Sequence, residues 1–249
     1  MSIEPSVASD AAALAQARAW VEAAQHVMVL TGAGVSAESG VPTFRDALTG
    51  LWSRFNPEDM ATEAAYRKHP RMVWDWYQER RERVLQVQPN PAHLAIAALA
   101  KRKAVTLVTQ NVDGLHQRAG SEGVIELHGN LFANKWLGGC GKCDIATAEP
   151  GRPPRCATCG AMLRPGVVWF GEQLPLVANY RAEEAANTCD VCLVVGTSGM
   201  VYPAAGLPGL AKDHGAKVIV VNPEPSALDA TADLVIHQPA GVCLPAMLG

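Results

Sequence analysis

Several things are scarce or missing in this 249-residue chain, and each absence excludes something. There is no run of basic residues, and 21 Lys and Arg face 24 Asp and Glu for a net charge of -3. That argues against a strongly electrostatic nucleic-acid binder. No apolar stretch approaches the roughly 20 residues needed to span a bilayer. Met1 to Asp10 shows neither the positively charged lead nor the apolar core of an export signal, so a cytoplasmic protein is expected. There is no internal repeat and no low-complexity tract. The 7 cysteines are odd in number and clustered, which favours metal ligation or free thiols over a disulfide framework. With 49% hydrophobic residues, the chain has enough apolar material for one large domain, or one domain with a small module.

The chain is organised around Gly32 to Arg45. An apolar run, Val27 to Leu30, reads as a buried strand and leads into Gly32-x-Gly34-x-x-Ala37. Strand followed by this spacing is the dinucleotide fingerprint, with Ala at its third small position. Gly32 permits a tight turn, Gly34 lets the backbone approach a pyrophosphate, and free N–H groups then face the anion. Taken alone the signal is weak, and a Gly-rich turn with no ligand is the alternative. One element of the fingerprint is missing: no strand-end acid follows about 20 residues later. Glu58 and Asp59 lie near that distance, but no strand precedes them. Asn222 and Glu224, after a late strand, are the substitutes on offer for the adenosine.

Helical spacing places helices over Asp10–Gln25 and Pro70–Val87, and over a segment opened by the N-cap Asn90-Pro91 and closing near Lys101. Asp46 to Ala65 reads as loop and short helix, a mobile cover over a site. Buried strands are predicted at Val105–Thr109, Val124–Leu127, Val191–Val195, Val218–Val221 and Leu234–His237, with a helix over Leu176–Asn187. Strands separated by helices imply an α/β fold, a Rossmann-like, mainly parallel, doubly wound sheet. Gly138 to Pro165 breaks the pattern. It is rich in Gly, Pro and Cys and reads as a small inserted module. The expected organisation is a single domain: a large lobe of about 10–45, 88–135 and 166–249, and a small lobe of 46–87 and 136–165.

Small and polar residues follow strand after strand: Gly32, Gln110, His128, Gly196 and Asn222. Open parallel sheets bind ligands at the carboxyl ends of their strands. Within the module, Cys140-x-x-Cys143 and Cys156-x-x-Cys159 offer four thiolates from two knuckles, the donor set of a tetrahedral structural Zn²⁺. Four unligated thiols, or a nucleic-acid-binding ribbon, are the alternatives, and the few basic residues count against the ribbon. Cys189-x-x-Cys192 invites a redox or metal reading, but Cys192 falls in an apolar strand and small buried cysteines fit better. His128 reads as structural or as a general base. Asn111 and Asp113 serve as helix caps or as ligand-binding groups. Tyr77 and Arg80 share a helix face; spacing alone favours a core Tyr and a solvated Arg over a carboxylate-binding pair.

These motifs together resemble the sirtuins, NAD-dependent protein deacylases. The residues that carry the resemblance are Gly32–Gly40 with Phe44-Arg45, Thr109–Asp113, His128-Gly129, the two cysteine pairs, and Gly196–Ser198 followed by Asn222. It runs from about residue 20 to the C-terminus. It implies NAD, consumed as a co-substrate, across the sheet ends. Gly32, Ala33, Gly34 and Ser36 would contact it, with Gly196, Thr197, Ser198, Asn222, Pro223, Glu224 and Ala240 at phosphate or adenosine. Gln110, Asn111 and Asp113 would hold the nicotinamide riboside, with Asn111 ordering the ribose and Asp113 binding the carboxamide. Phe44 and Arg45 would cover the reactive sugar. His128 would deprotonate a ribose hydroxyl after the substrate amide oxygen displaces nicotinamide, releasing lysine and O-acyl-ADP-ribose. Arg164 to Glu172 resembles the segment that pairs an acyl-lysine peptide as an added strand, through Val168, Trp169, Phe170 and Gly171. Tyr77 and Arg80 resemble the pair of the branch that removes succinyl and malonyl groups, with Ala61 and Ala65 leaving room for the longer chain. One structural Zn²⁺ on Cys140, Cys143, Cys156 and Cys159 is implied. Trp136 to Gly139 stand before Cys140 where the family has a shorter approach, so a differently shaped module is expected. The implied partners are acylated lysines of proteins or peptides, not nucleic acid or membrane. An ADP-ribosyltransferase and a non-catalytic NAD sensor are the competing readings.

Overall fold

A computed structural model of the chain describes residues 7–42, 60–139 and 143–249. The expectations placed on Phe44, Arg45, Glu58, Asp59 and Cys140, and on most of the predicted cover after Asp46, fall outside them.

The core is a six-stranded parallel sheet. Its strands are β1 (His26–Thr31), β2 (Ala104–Thr109), β3 (Ile125–Glu126), β8 (Val191–Val195), β9 (Lys217–Val221) and β10 (Leu234–Ile236). The spatial order is β10-β9-β8-β1-β2-β3. The chain winds outward from β1 through β2 to β3, then returns to the other side of β1 with β8. The order therefore reverses between β1 and β8, which is where an open α/β sheet leaves a crevice for a ligand.

The strands read as unbroken apolar runs because helices cover both faces. On one face Val27, Val29, Leu107, Leu193, Ile219 and Val221 pack against helices α1 (Val7–Ala23), α5 (Pro91–Ala100) and α9 (Ala240–Leu248). On the other, Met28, Leu30, Val108, Cys192, Val194 and Val220 meet α7 (Leu176–Thr188) and α8 (Leu207–Asp213). Truncating a fully buried member such as Leu193 to Ala costs about 2–5 kcal/mol. Cys192 and Cys189 are buried within this layer, and desolvation pushes the Cys189 thiol up to about 11 and the Cys192 thiol higher still. The inert reading of that pair holds.

Helix α5 begins as its sequence dictates. The Asn90 side chain accepts from Ala92 N–H at 2.9 Å, Pro91 sits in the first turn, and His93 closes a capping box. Helix α4 (Pro70–Gln86) and the short α3 (Glu63–Lys68) form a separate layer. Their apolar faces bury Tyr66, Val73, Trp76 and Tyr77 against Leu131, Leu163, Val167 and Trp169.

Leu131, Leu163 and Val167 belong to a second, antiparallel sheet of β4 (Gly129–Leu137), β7 (Met162–Val167), β6 (Arg155–Cys156) and β5 (Ala148–Glu149), and Trp169 follows its strand β7. Sequence patterning missed β4. Its register shifts between Asn130 and Asn134, and that irregularity destroys the alternation by which a half-buried strand is recognised. The antiparallel sheet thus starts at Gly129, upstream of the Gly-, Pro- and Cys-rich stretch.

Candidate active site

At the crevice between β1 and β8 two strand-end turns interlock. Gly34 N–H donates to Gly196 O at 2.8 Å, and Gly32 N–H donates to Val195 O at 3.0 Å. A Cβ on Gly32 would fall 2.7 Å from Thr197 Cβ, and one on Gly34 would fall 2.8 Å from Gly196 Cα. Gly196 has φ +62°, and its own Cβ would lie 2.3 Å from Val35 N. These glycines let two loops separated by over half the chain touch backbone to backbone. Gly34–Ala37 then makes a single helical turn, α2, whose residues follow directly on the fingerprint.

Beyond β2 the chain delivers Gln110, Asn111 and Asp113. Gln110 Nε2 donates to Thr197 Oγ1 at 3.1 Å, bridging β2's end to the β8 turn. Asn111 Nδ2 donates to Gly32 O at 3.1 Å and to Ser36 Oγ at 3.2 Å. Ser36 Oγ donates to Asp113 Oδ2 at 2.8 Å, while Asp113 Oδ1 accepts Leu115 N–H at 2.9 Å. Asp113 Oδ1 thus satisfies the first N–H of the short helix α6 (Leu115–Arg118), whose N-cap is Gly114, while Oδ2 meets Ser36. Ser36 is fully buried, and its hydroxyl is a hub for the chain's own groups.

Sequence reasoning missed the residues beneath this hub. His93 Nδ1 accepts Asn90 N–H at 3.3 Å, so the ring proton sits on Nε2, which donates to Ser36 Oγ at 3.3 Å. Asn90 Nδ2 also donates to Val35 O at 2.7 Å. Beside His93, at 4.7 Å between ring centroids, lies His116. Thr31 Oγ1 donates to Thr109 Oγ1 at 2.8 Å and accepts from His116 Nε2 at 2.9 Å. Burial depresses both imidazoles, His116 to about 3, so both are neutral near pH 7. The only signal in the sequence was a His at the third helical position after Asn90-Pro91.

His128 follows β3. Its Nδ1 lies 3.0 Å from the Gln110 carbonyl oxygen. A carbonyl only accepts, so Nδ1 carries the proton and Nε2 is the bare nitrogen of the neutral ring. Burial lowers the His128 pKa, opposed by that hydrogen bond. The same residue's backbone O accepts Val168 N–H at 2.8 Å, joining His128 to the 168–171 segment.

That segment is pinned from behind. Phe170 N–H donates to Ala61 O at 2.9 Å and Trp169 N–H to Glu172 Oε2 at 2.8 Å. Arg164, 2% exposed, grips Glu172 with both guanidinium arms and donates to Val167 O at 2.8 Å. Burial alone would raise the Glu172 carboxyl, but Arg164, Trp169 N–H and Lys135 outweigh it and hold it below the ordinary range. Trp169 itself faces inward, 1% exposed, whereas Phe170 is exposed. The indole Nε1–H of Trp169 donates to the Tyr77 hydroxyl at 2.9 Å. Tyr77 is buried, and desolvation raises its phenol, opposed chiefly by Arg80. Arg80 is half-buried, its guanidinium 4.9 Å from the Trp76 ring centroid. Desolvation lowers its pKa against the pull of Tyr77 and Asp113. Tyr77 therefore faces the Trp169 segment, while Arg80, half-buried beside Trp76, lies within electrostatic reach of Tyr77 and Asp113.

At the far chain end, Asn222 Nδ2 donates to Glu224 O at 2.8 Å beyond β9, shaping the Asn222-Pro223-Glu224 turn. Ala240 opens α9, and the next residue, Gly241, donates its N–H to Glu38 Oε1 at 2.9 Å. The C-terminal helix is thereby tied to the Gly-rich stretch.

Around the end of β6 in the second sheet, Cys143, Cys156 and Cys159 gather with their sulfurs within 4.8 Å of one another. Cys143 Sγ and Cys159 Sγ are 3.9 Å apart. Tetrahedral zinc with Zn–S bonds of about 2.3 Å sets ligand sulfurs about 3.8 Å apart, so the donor set fits a structural Zn²⁺. Trp136 Nε1 donates to Cys143 O at 2.9 Å and so braces the first knuckle.

A model of the Sir2 family matches residues 32–203. A protein of Ralstonia nicotianae named NAD-dependent protein deacylase is 90% identical over 244 residues, spanning 98% of this chain and 99% of the relative. Among solved structures, a crystal structure of a Sir2 homolog–NAD complex is 42% identical with a TM-score of 0.87, covering 94% of this chain and 92% of that one. A Sir2 protein solved with a deacetylated p53 peptide and 3'-O-acetyl ADP ribose is 32% identical, with a TM-score of 0.81, over 94% of this chain and 96% of that one.

Proposed function

The chain belongs to the Sir2 family, the sirtuins, and from that premise we infer its reaction: NAD-dependent removal of acyl groups from protein lysines, with NAD consumed as co-substrate. Bound NAD supplies a ribose carbon that the acyl oxygen attacks and a nicotinamide that leaves. The chain's own residues supply position and a base. The interlocked Gly32–Gly34 and Gly196–Thr197 turns form the cradle for the pyrophosphate, with Ala33 and Ser198 beside them and Asn222, Pro223, Glu224 and Ala240 at the adenosine. No acid ends β2, where Gln110 and Asn111 stand instead. This agrees with a nucleotide whose ribose is reacted upon rather than merely anchored. Asn111 and Asp113, braced by Ser36, hold the nicotinamide ribose; Phe44 and Arg45 are assigned to cover it.

One observation carries the assignment of base. His128 gives its Nδ1 proton to Gln110 O and is neutral, so its bare Nε2 is the acceptor for a ribose hydroxyl proton. Its carbonyl ties down Val168, where the acyl-lysine strand pairs. The N–H groups of Val168, Trp169 and Phe170 are all engaged within the protein. A peptide laid on Val168–Gly171 therefore donates its own N–H groups to carbonyls there.

The acyl preference includes succinyl and malonyl groups. Tyr77 and Arg80 support this: a buried phenol and a half-buried guanidinium in electrostatic reach of it suit a terminal carboxylate. Ala61, whose carbonyl meets Phe170, and Ala65 leave room for the chain. One zinc is held by Cys143, Cys156 and Cys159 with Cys140 as fourth ligand. The large lobe carries the nucleotide, and the small lobe of α3, α4 and the zinc module carries the substrate walls. Acylated protein lysines in the cytoplasm, not nucleic acid or membrane, are the partners; the net charge of -3 favours this. No helix among the described residues is long and apolar enough to cross a membrane.

The test is incubation with NAD and acetyl-, succinyl- or malonyl-lysine peptides, followed by mass. Loss of acyl mass with matching O-acyl-ADP-ribose is expected. Transfer of ADP-ribose to protein would instead favour a transferase, and NAD binding without consumption a sensor. Tyr77→Phe or Arg80→Met should impair desuccinylation more than deacetylation; equal losses would refute a carboxylate clamp.

A further inference from the structure

We propose that Trp169 is a specificity-positioning residue: its indole N–H fixes which way the Tyr77 hydroxyl faces, and so makes that hydroxyl a donor reserved for an acidic acyl group. The proposal rests on the acidic-acyl reading of Tyr77 and Arg80.

A phenol hydroxyl has one proton to give and lone pairs to receive with. An indole N–H only donates. With Trp169 Nε1 donating to Tyr77 Oη at 2.9 Å, the accepting side of the hydroxyl is filled. The proton must point elsewhere. Tyr77 is 3% exposed, so water is largely withheld, and no described residue accepts that proton. A buried donor without an acceptor is costly, and an incoming carboxylate removes the cost while adding a charge-assisted bond. The methyl end of an acetyl group does neither. Arg80, one helical turn on from Tyr77 and in its electrostatic reach, adds positive charge nearby. Donor and cation both favour an anionic acceptor.

Trp169 is built not to rotate away. The Arg164 guanidinium carbon lies 3.2 Å from the centroid of its ring, and Tyr66 packs at 5.1 Å with a 42° tilt. Its backbone N–H is held by Glu172, which Arg164 holds in turn. The ring therefore presents its edge to Tyr77 from a fixed frame. Trp169 also sits within the 168–171 segment where the substrate backbone pairs. One residue thus couples the docking of the peptide to recognition at the far end of its acyl chain.

The experiment compares kcat/KM for succinyl- and acetyl-lysine peptides in wild type, Trp169→Phe, Tyr77→Phe and the double variant. A second form carries 3-benzothienylalanine at position 169, which keeps the shape of the bicyclic ring but has sulfur in place of N–H. If the donor acts as proposed, the succinyl-to-acetyl ratio falls about fivefold in both position-169 variants, mainly through KM for the succinyl peptide. In the Tyr77→Phe background, removing the indole donor changes the ratio no further. A structural role alone would lower both activities together and leave the ratio intact. An unchanged ratio in the benzothienyl form, or full additivity with Tyr77→Phe, overturns the proposal while wild-type desuccinylation still stands. Wild type without activity on acidic acyl peptides overturns both this proposal and the acidic-acyl reading, and is seen before any variant is compared.

Discussion

The buried imidazole pair beneath the nucleotide turns makes acid pH a probe of this site. His116 is 1% exposed and rests against His93; burial, then the neighbouring ring, brings its pKa from 6.5 to about 3. Its Nε2–H is used by Thr31, while its Nδ1 has no partner among the described residues, so nothing stabilises a second proton. The folded pKa lies below the unfolded one. Between the two values the unfolded chain holds a proton that the folded chain refuses, and stability falls as pH drops below 6.5. At about 1.4 kcal/mol per pH unit, lowering pH from about 7 to about 5 removes about 2 kcal/mol through His116. For a chain of this size that is about 4–8 °C in Tm. His116→Gln keeps an N–H for Thr31 and removes the titration. Urea unfolding of both proteins at the two pH values reads the difference directly. Wild type should lose about 2 kcal/mol more than the variant on acidification. Equal losses would refute the neutral, desolvated His116 that the packing requires.

Four further outcomes are expected. The acid limb of kcat/KM should have its midpoint below pH 6.5, because burial lowers the pKa of the base whose neutral form is active; a pH-rate profile with a midpoint at or above 6.5 would contradict His128 as that base. His128→Tyr should abolish turnover yet retain part of the NAD binding measured by calorimetry. Freshly purified protein should carry about one zinc per chain, and Cys156→Ser or chelation should release it with a change in Trp136 fluorescence; less than about half an equivalent in wild type would count against the site. Gly196→Ala should destabilise by more than about 1 kcal/mol and weaken NAD binding at least about tenfold, since its Cβ meets Val35 N at 2.3 Å with φ at +62°; unaltered thermal denaturation and NAD titration would show the turns are not interlocked.

The sequence by itself determined the main sheet. Its strands are unbroken apolar runs, and its helices carry local marks such as Asn90-Pro91, so short-range chemistry sufficed for β1, β2, β8, β9, α4 and α5. The residues at strand ends were legible too, because the chemistry of a nucleotide site demands small and polar side chains there. Tertiary structure decided the rest. Strand β4 was hidden because its register shift scrambles the period of 2 on which strand recognition rests. His93 and His116 looked like any other histidines; their meaning comes from Ser36 and Thr31, each more than 50 residues away in the chain. Gly32 announced a tight turn, Gly34 a close backbone approach and Gly196 a small residue at a strand end, but only the fold showed them pressed against each other. Spacing alone placed Arg80 in solvent and read Tyr77 as core filling. The resemblance to sirtuins argued for a pair, and the packing of α4 buries Tyr77 against Trp169 with Arg80 half-buried beside Trp76. A one-dimensional pattern records which face of a helix is apolar. It does not record what that face meets, and for this protein the meeting of α4 with the Arg164–Glu172 frame is what shapes the acyl end of the proposed site.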